Sequence, residues 1–367
     1  MSHSQSGISL HIVMCFGYRH RARMIYKLAS FAVGVTALVA CHGCQLMSSY
    51  YTCHDGREID PTKKSEAETS SLQFARALFS GDLEVAYSHF TEQAKNSTSR
   101  NQLRGLLEAM RPSGPYDSLE TEQVMIVTRW WLASPGTGLA MCSKDLTHSE
   151  ASVTVALTNV REQAYVLISA KGTPESWVVV LWLVPHEGQW QVQAFHLMME
   201  TAASKNAAEI LAQARMERSR GHNLNAEVLY AGAADLASRG PFYRTGFQDT
   251  IQEEAQQIMM PTDFRGQPPF TLQGPSGPFT IWHMNPVPVR GQLYLLISQE
   301  ISPWKDSGET VRKNRALISA FATRFPEYSD VFSGMVAEST DHDRGHGWRT
   351  VEDNSAVLDR VSPVQHK

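Results

Sequence analysis

The spacing of apolar residues changes from a helical to a strand period within the first half of the chain. Three segments, 72–79, 83–90 and 103–110, repeat apolar residues at the i, i+3, i+4 spacing of one helix face. Within residues 124–197 the alternation has a period of two, which is typical of strands. Three helices followed by an antiparallel run of five or six strands predict an α+β domain.

Two stretches of this domain resemble nuclear-transport-factor-two-like domains: the helical residues 74–90 and the closing hairpin 187–192. The resemblance covers about residues 68–200. It implies a cone-like antiparallel sheet that curls around a pocket, with the N-terminal helices closing the mouth. Some enzymes of this fold hold an Asp or His base and a Tyr donor on the pocket wall, the base raised in pKa by apolar surroundings.

The resemblance makes four residues of the strands pocket candidates: Tyr165, Trp182, Trp190 and His196. The strand period places His196 on the same face as Trp190, with Tyr165 on another strand. An apolar ligand pocket is one interpretation of the tryptophans, and simple filling of the core is the other. Because a His or Tyr among Trp and Val is more often a core residue than a catalyst, we predict no catalytic residue.

A basic leader and an apolar stretch precede this domain. The stretch, residues 28–40, is shorter than the roughly 20 residues of a membrane-spanning helix and indicates a signal peptide. Its end, Leu38-Val39-Ala40-Cys41, resembles the lipobox of bacterial lipoproteins. The resemblance implies that Cys41 carries the lipid and holds the protein at a membrane.

In such lipoproteins an Asp after the lipidated Cys retains the protein in the inner membrane, and here that residue is His42. The resemblance thus implies an outer-membrane lipoprotein that faces the periplasm; a secreted protein or an inner-membrane lipoprotein is the alternative. In an oxidising periplasm Cys44 and Cys53 are close enough in sequence to form a small disulfide loop, which leaves Cys142 free. The cysteine spacings match no zinc-ligand pattern.

The chain returns to a helical pattern after residue 201. Residues 221–226, with Tyr230 and Ala233, resemble the turn and second helix of one tetratricopeptide repeat. The first helix departs from that pattern, because Glu217 stands where an aromatic residue is expected. Since one repeat cannot bury its own face, we expect it to pack on a neighbouring domain rather than form a peptide-binding superhelix.

The last region combines a strand at 291–298, a helix after Ser307 and two further strands at 331–338 and 348–351. This order predicts a small α/β module. The whole chain is therefore predicted to have six segments: leader and signal peptide 1–40, tether 41–66, cone-like domain 67–200, helical connector 204–260, C-terminal module 261–352 and tail 353–367.

The sequence contains no phosphate loop, dinucleotide fingerprint, nucleophile elbow or paired-histidine zinc motif, and we predict no cofactor. The nearest approach to a metal site is a polar run with His342, Asp343 and His346, whose side chains could bind a divalent ion. Its neighbouring arginine and glycines are typical of a solvated turn. We therefore predict no metal.

Charge bears on the choice of partner. The formal net charge is −4, but residues 1–40 contain four basic residues and no acid, so the rest of the chain has a net charge of −8. This balance argues against nucleic acid as a partner, because nucleic acid binding needs a basic surface.

We expect a lipid-anchored cell-envelope protein that is a non-enzymatic binding or assembly module for an envelope protein partner. The alternative is a small-molecule enzyme or carrier that uses the pocket of the cone-like domain.

Overall fold

The computed structural model of the chain describes residues 51–109, 116–129, 137–142, 151–156, 160–241, 243–275, 277–300, 307–341 and 346–361. The helices are α1 (Pro61–Ser80), α2 (Leu83–Ser88), α3 (Glu92–Ser97), α4 (Arg100–Ala109), α5 (Ala207–Arg220), α6 (Asn223–Ala237), α7 (Gly246–Ala255), α8 (Ser307–Arg324) and α9 (Asn354–Val361). The strands are β1 (Tyr51–Asp55), β2 (Tyr116–Arg129), β3 (Thr137–Met141), β4 (Ala151–Ala156), β5 (Glu162–Gly172), β6 (Trp177–His186), β7 (Gln189–Met199), β8 (Thr201–Ala202), β9 (Lys205–Asn206), β10 (Tyr243–Thr245), β11 (Phe270–Gly274), β12 (Gly277–Val289), β13 (Gln292–Glu300), β14 (Gly334–Asp341) and β15 (His346–Asp353).

The predicted α+β class is confirmed, and the sheets are open rather than closed into a barrel. The first sheet is antiparallel with the strand order β1-β2-β5-β6-β7. Helices α1 to α4 pack on one of its faces, which we call the helix side. The predicted helical segments 72–79, 83–90 and 103–110 overlap α1, α2 and α4, of which α2 ends at Ser88 and α4 is described as far as Ala109.

The first domain begins earlier than the predicted boundary at residue 67. Residues 51–66 are predicted above as tether, yet β1 pairs with β2 and α1 starts at Pro61. The Asp60 side chain accepts hydrogen bonds from the backbone N–H groups of Thr62 and Lys63. Asp60-Pro61 is thus an N-cap followed by a proline in the first helical turn, a helix start whose polar composition resembles that of a linker.

A small sheet with the strand order β10-β4-β3 packs against the opposite face of the first sheet. A disulfide joins Cys53 in β1 to Cys142, with Cα atoms 4.9 Å apart. The predicted pairing of Cys53 with Cys44, and a free Cys142, is therefore wrong; Cys44 itself lies outside the described residues. Closeness in sequence favours a small loop, but the fold brings β1 beside β3, and this proximity decides the pairing.

The second half of the chain is built on a sheet with the strand order β11-β12-β13-β14-β15. Its β13 and β14 are parallel and are joined through α8, as a parallel pair requires a crossover. Helices α5 to α9 and one face of this sheet contribute to a single hydrophobic core. The boundary predicted at residue 260 falls inside this core, so the helical connector and the C-terminal module pack as one body.

Two details show how closely the connector and the module are joined. Gly232 of α6 lies against Pro286 of β12, and a Cβ atom at position 232 would stand only 2.1 Å from the proline Cγ. Residues 354–361, predicted as tail, form α9, which buries Val357 in the shared core. The prediction of a tail is wrong for these residues because a helix of eight residues makes only about two turns and gives little periodic signal.

Candidate functional site

The space between α1 and β7, on the helix side of the first sheet, is filled by the domain's own side chains. Phe74 of α1 lies 5.3 Å from Phe195 of β7 and 5.6 Å from Phe90, measured between ring centroids. Trp190 is 5% exposed and belongs to the same cluster. Aromatic rings in these contacts form a packed core rather than the wall of an open pocket.

The four predicted pocket residues do not share one face of the sheet. Trp190 lies on the helix side, whereas Tyr165 and Trp182 lie in the core of the opposite face. His196 is also on this opposite face, because its neighbours two residues away, Ala194 and Met198, pack there. The structure therefore separates Trp190 from the other three.

A β-bulge explains why the predicted face of His196 is wrong. Trp182 pairs with Ala194, but the next residue, Leu183, pairs with Val192, so Gln193 is an extra residue in β7. One inserted residue reverses the alternation of side chains along the rest of a strand. Counting by twos from Trp190 places His196 on the helix side, and the bulge places it on the other.

Tyr165 and Trp182 form the centre of the opposite face. Their rings are parallel within 5°, with centroids 6.3 Å apart. Tyr165 is fully buried, and its hydroxyl lies 3.4 Å from the Gln163 side chain. Burial raises the pKa of the Tyr165 hydroxyl, so this group stays protonated.

The His196 ring packs against the backbone at Gly240. A Cβ atom at Gly240, whose φ is +81°, would lie 2.8 Å from the His196 ring. Burial lowers the pKa of His196 to about 4, so the ring is neutral near pH 7. Strand β6 lies between His196 and Tyr165, which separates them by two strand spacings, about 10 Å.

A polar cluster at the edge of this face was not predicted from the sequence. The Glu200 carboxylate accepts hydrogen bonds from the Ser169 hydroxyl at 2.6 Å and from the Lys171 ammonium at 3.1 Å. Serine, lysine and a carboxylate are together a combination found in nucleophilic catalysis. Ser169 is completely buried, however, and its hydroxyl is engaged with Glu200, so the cluster joins the end of the central strand β5 to the residue that follows β7.

A second site absent from the sequence predictions is a cleft of about 520 Å³ beside β1 and the start of α1. Its lining includes Ile126, which belongs to the helix-side core, and charged side chains of both signs, such as Glu58 and Arg161. Lys63 pairs with Glu162 there at 2.6 Å. Residues 54–63 have the composition of a tether, which is why the sequence pattern did not indicate a cleft at this position.

Glu217, the residue that departs from the repeat pattern, is a buried charge. Its side chain is completely buried and accepts hydrogen bonds from Arg220 at 2.9 Å and from Asn225 at 3.0 Å, with His222 Nδ1 at 2.9 Å. Burial alone would raise the pKa of Glu217, but these contacts hold it below its ordinary value. Asn225 also donates to the backbone carbonyl of Glu327, so the cluster links the α5–α6 turn to the sheet-bearing half.

The predicted lipidation residue and two of the three predicted metal residues lie outside the part of the chain that the structure describes. Cys41, His342 and Asp343 lie outside the described residues, and His346 is the first residue of β15. Among the residues that the structure describes, no three His, Cys, Asp or Glu side chains are grouped so that they could hold a metal ion. No helix in this described part is both long and apolar enough to cross a membrane.

Comparison with known proteins adds no relative: no protein-family model, no curated protein and no solved structure matches this chain.

Proposed function

We propose that this chain is a lipid-anchored protein of the cell envelope that acts as a non-enzymatic binding or assembly module. The observation that carries the proposal is the packing of Phe74, Phe90 and Phe195 between the helices and β7, where the three rings occupy the space a ligand would need. An enzyme or carrier using this pocket has less support, since the sheet separates Trp190 from Tyr165, Trp182 and His196.

The compartment is inferred from the cysteines and the leader together. Disulfides such as Cys53–Cys142 form and persist in oxidising compartments and are rare in the cytosol. The leader with its lipobox-like end at Cys41 would deliver the chain to such a compartment. Helices over one face of a five-stranded antiparallel sheet also support the resemblance to nuclear-transport-factor-two-like domains.

The anchor is tested by metabolic labelling with a tagged fatty acid. We expect the full chain to take up label and the Cys41→Ser variant to lose it, because the thiol of Cys41 receives the lipid. Cys44→Ser, three residues further along, is the matched control and should be labelled like the wild type. Label retained by Cys41→Ser would contradict the proposed anchor.

The surface best suited to a protein partner lies on the helical connector. Three large apolar residues are exposed there: Met259 at 71%, Met216 at 45% and Phe247 at 37%. The Arg215–Glu254 ion pair, at 2.5 Å, ties α5 to α7 and so holds these segments together. Methionine side chains adapt to varied apolar partners. We use the name connector surface for these exposed residues, Met216, Phe247 and Met259, and propose that an envelope protein contacts at least one of them.

The partner proposal is tested by cross-linking in intact cells, followed by quantitative comparison of the proteins recovered with each variant. Met216→Asp with Met259→Asp should lower recovery of a specific partner about tenfold or more, because each Asp places a charge in an apolar contact. Val85→Asp, at a residue 44% exposed on α2, is the matched control and should leave recovery unchanged.

Two pocket variants distinguish the proposal from its alternative. His196→Gln and Tyr165→Phe should leave recovery of the partner and the cellular phenotype unchanged wherever the variant folds. If either variant abolishes the phenotype while stability and partner recovery are unaltered, the enzyme or carrier alternative replaces the binding module.

A further inference from the structure

The outer side of β15 is an open edge of the second sheet. In the described part of the chain, β15 lies at the end of the strand order β11-β12-β13-β14-β15 and pairs with β14 alone. It runs for eight residues without a bulge. Gly347, Val351 and Asp353 are exposed along it, and Val351 is 46% exposed. An edge of this kind presents unpaired backbone groups to which another strand can bond.

The other strand edges in the described part of the chain are short or interrupted. Strands β1, β3 and β11 have five residues each, and β10 has three. Edge strand β7 is longer, but it contains the bulge at Gln193, and the backbone of Val192 bonds to His89 and Thr91. Short strands, bulges and covering segments prevent edge-to-edge pairing in natural sheets. By contrast, β15 is long, regular and exposed.

The hydrogen-bond pattern shows which residues of β15 direct their backbone groups outward. Asn354, the residue after β15, donates its N–H to the carbonyl of Ser333, the residue before β14, at 3.0 Å. Alternate residues of an antiparallel strand bond to the same neighbour, so the even-numbered residues of β15 bond to β14. The odd-numbered residues from Gly347 to Asp353 therefore point their N–H and C=O groups away from β14.

The side chains of this edge suit a second copy of the same strand. Two antiparallel copies of β15 can be aligned about a two-fold axis at Val351, which then lies opposite Val351 of the second copy. In this register Arg349 of each copy lies opposite Asp353 of the other, and such pairs of opposite charge stabilise a sheet. Arg349 also pairs with Glu338 of β14 at 2.6 Å, so charges of alternating sign would cross the interface. An axis at Arg349 would instead oppose like charges, and an axis at Thr350 would place Arg349 opposite Val351.

We infer that β15 is the interface of a homodimer, in which two copies of the strand pair antiparallel about a two-fold axis at Val351. Each copy uses the same surface, as a two-fold interface requires. Backbone hydrogen bonds hold an added strand at a sheet edge, and Arg349, Val351 and Asp353 of each copy supply them here. The inference goes beyond the proposed function and does not depend on the anchor or on the connector surface, since none of their residues lies on β15.

The inference is tested by sedimentation velocity of the full chain in detergent solution over a range of concentrations. We expect the wild type to form dimers. Val351→Pro should raise the dimer dissociation constant about tenfold or more, because it removes an outward N–H group from each copy. The variant keeps every hydrogen bond between β15 and β14, and proline is tolerated on edge strands. Val351→Thr retains the N–H group and the branched side chain, so this matched control should dimerise like the wild type.

Disulfide trapping tests the position of the two-fold axis. Opposed Cα atoms of a hydrogen-bonded antiparallel pair are about 5.5 Å apart, which is within the range that a disulfide spans. Val351→Cys should therefore form a covalent dimer under mild oxidation. Val85→Cys, at a valine 44% exposed on α2, is the matched control and should give no covalent dimer beyond that of the wild type.

Thermal unfolding of each variant shows whether the second sheet remains folded. Val351→Lys, which places like charges on the axis, serves as the second variant where the proline variant unfolds. A wild type that is monomeric at every concentration would overturn the inference. A dimer unaffected by both Val351→Pro and Val351→Lys, or one that Val351→Cys fails to trap, would place the interface elsewhere and equally overturn it. Trapping of a different protein by Val351→Cys on a monomeric chain would assign the edge to another occupant, with the same consequence.

Discussion

Replacing Cys53 and Cys142 together by serine is expected to lower the free energy of unfolding by about 4–5 kcal/mol. The two cysteines are 89 positions apart, and in the chain-entropy description a crosslink that closes a loop of about 100 residues stabilises by roughly 4.7 kcal/mol. The bond also ties the edge strand β1 to the small sheet. Urea denaturation of the oxidised wild type and of the double variant measures the difference.

Two controls make this prediction specific to the observed pairing. The reduced wild type should unfold at nearly the same urea concentration as the double variant, because both lack the crosslink. Cys44→Ser should unfold like the oxidised wild type. A large loss of stability in Cys44→Ser, with none in Cys142→Ser, would contradict the Cys53–Cys142 bond and restore the small loop predicted from sequence.

Replacing Asn225 by alanine is expected to lower the free energy of unfolding by about 3 kcal/mol. Asn225 is buried and donates both to the Glu217 carboxylate and to the Glu327 carbonyl. A hydrogen bond to a charged group contributes about 1.5–3 kcal/mol and one to a backbone carbonyl about 0.5–1.5 kcal/mol. Urea denaturation at neutral pH, where Glu217 is ionised, measures the loss.

The reason for this loss is the buried charge, and a double variant tests it. Replacing both Glu217 and Asn225 by leucine removes the carboxylate along with its donor, so this variant should be more stable than Asn225→Ala. The wild type should also lose stability as the pH falls below about 4.5, since the folded chain keeps the pKa of Glu217 below that ordinary value. A double variant no more stable than Asn225→Ala, with the same acid sensitivity as the wild type, would contradict the role of Glu217.

Local signals in the sequence were sufficient for the fold class and for the main helices of the first domain. The apolar stripe at 72–79 and the break at Gly81 are properties of neighbouring residues, and Gly81 ends α1 in the left-handed conformation, with φ at +76°. The same kind of signal misplaced the start of the domain, because Asp60-Pro61 begins a helix as readily as it marks a linker.

The candidate site could be predicted only in part. Tyr165, Trp182 and Trp190 were recognised as apolar strand positions, and all three are buried. Which of them face each other depends on the register between β6 and β7, and no property of His196 or its neighbours in sequence indicates the extra residue at Gln193. Glu217 likewise departs from the repeat pattern in the sequence, but the sequence does not show that Arg220, His222 and Asn225 contact its carboxylate.

The sequence by itself determined the periods and the order of the main helices and strands in the first domain, because these depend on interactions between residues a few positions apart. Tertiary structure alone decided three outcomes: Cys53 pairs with Cys142, His196 and Trp190 lie on different faces of the first sheet, and the connector shares its core with the second sheet. Each of these outcomes joins segments distant in sequence. Their partners are selected by packing and strand register, and a one-residue change in register moves a side chain to the other face of a sheet.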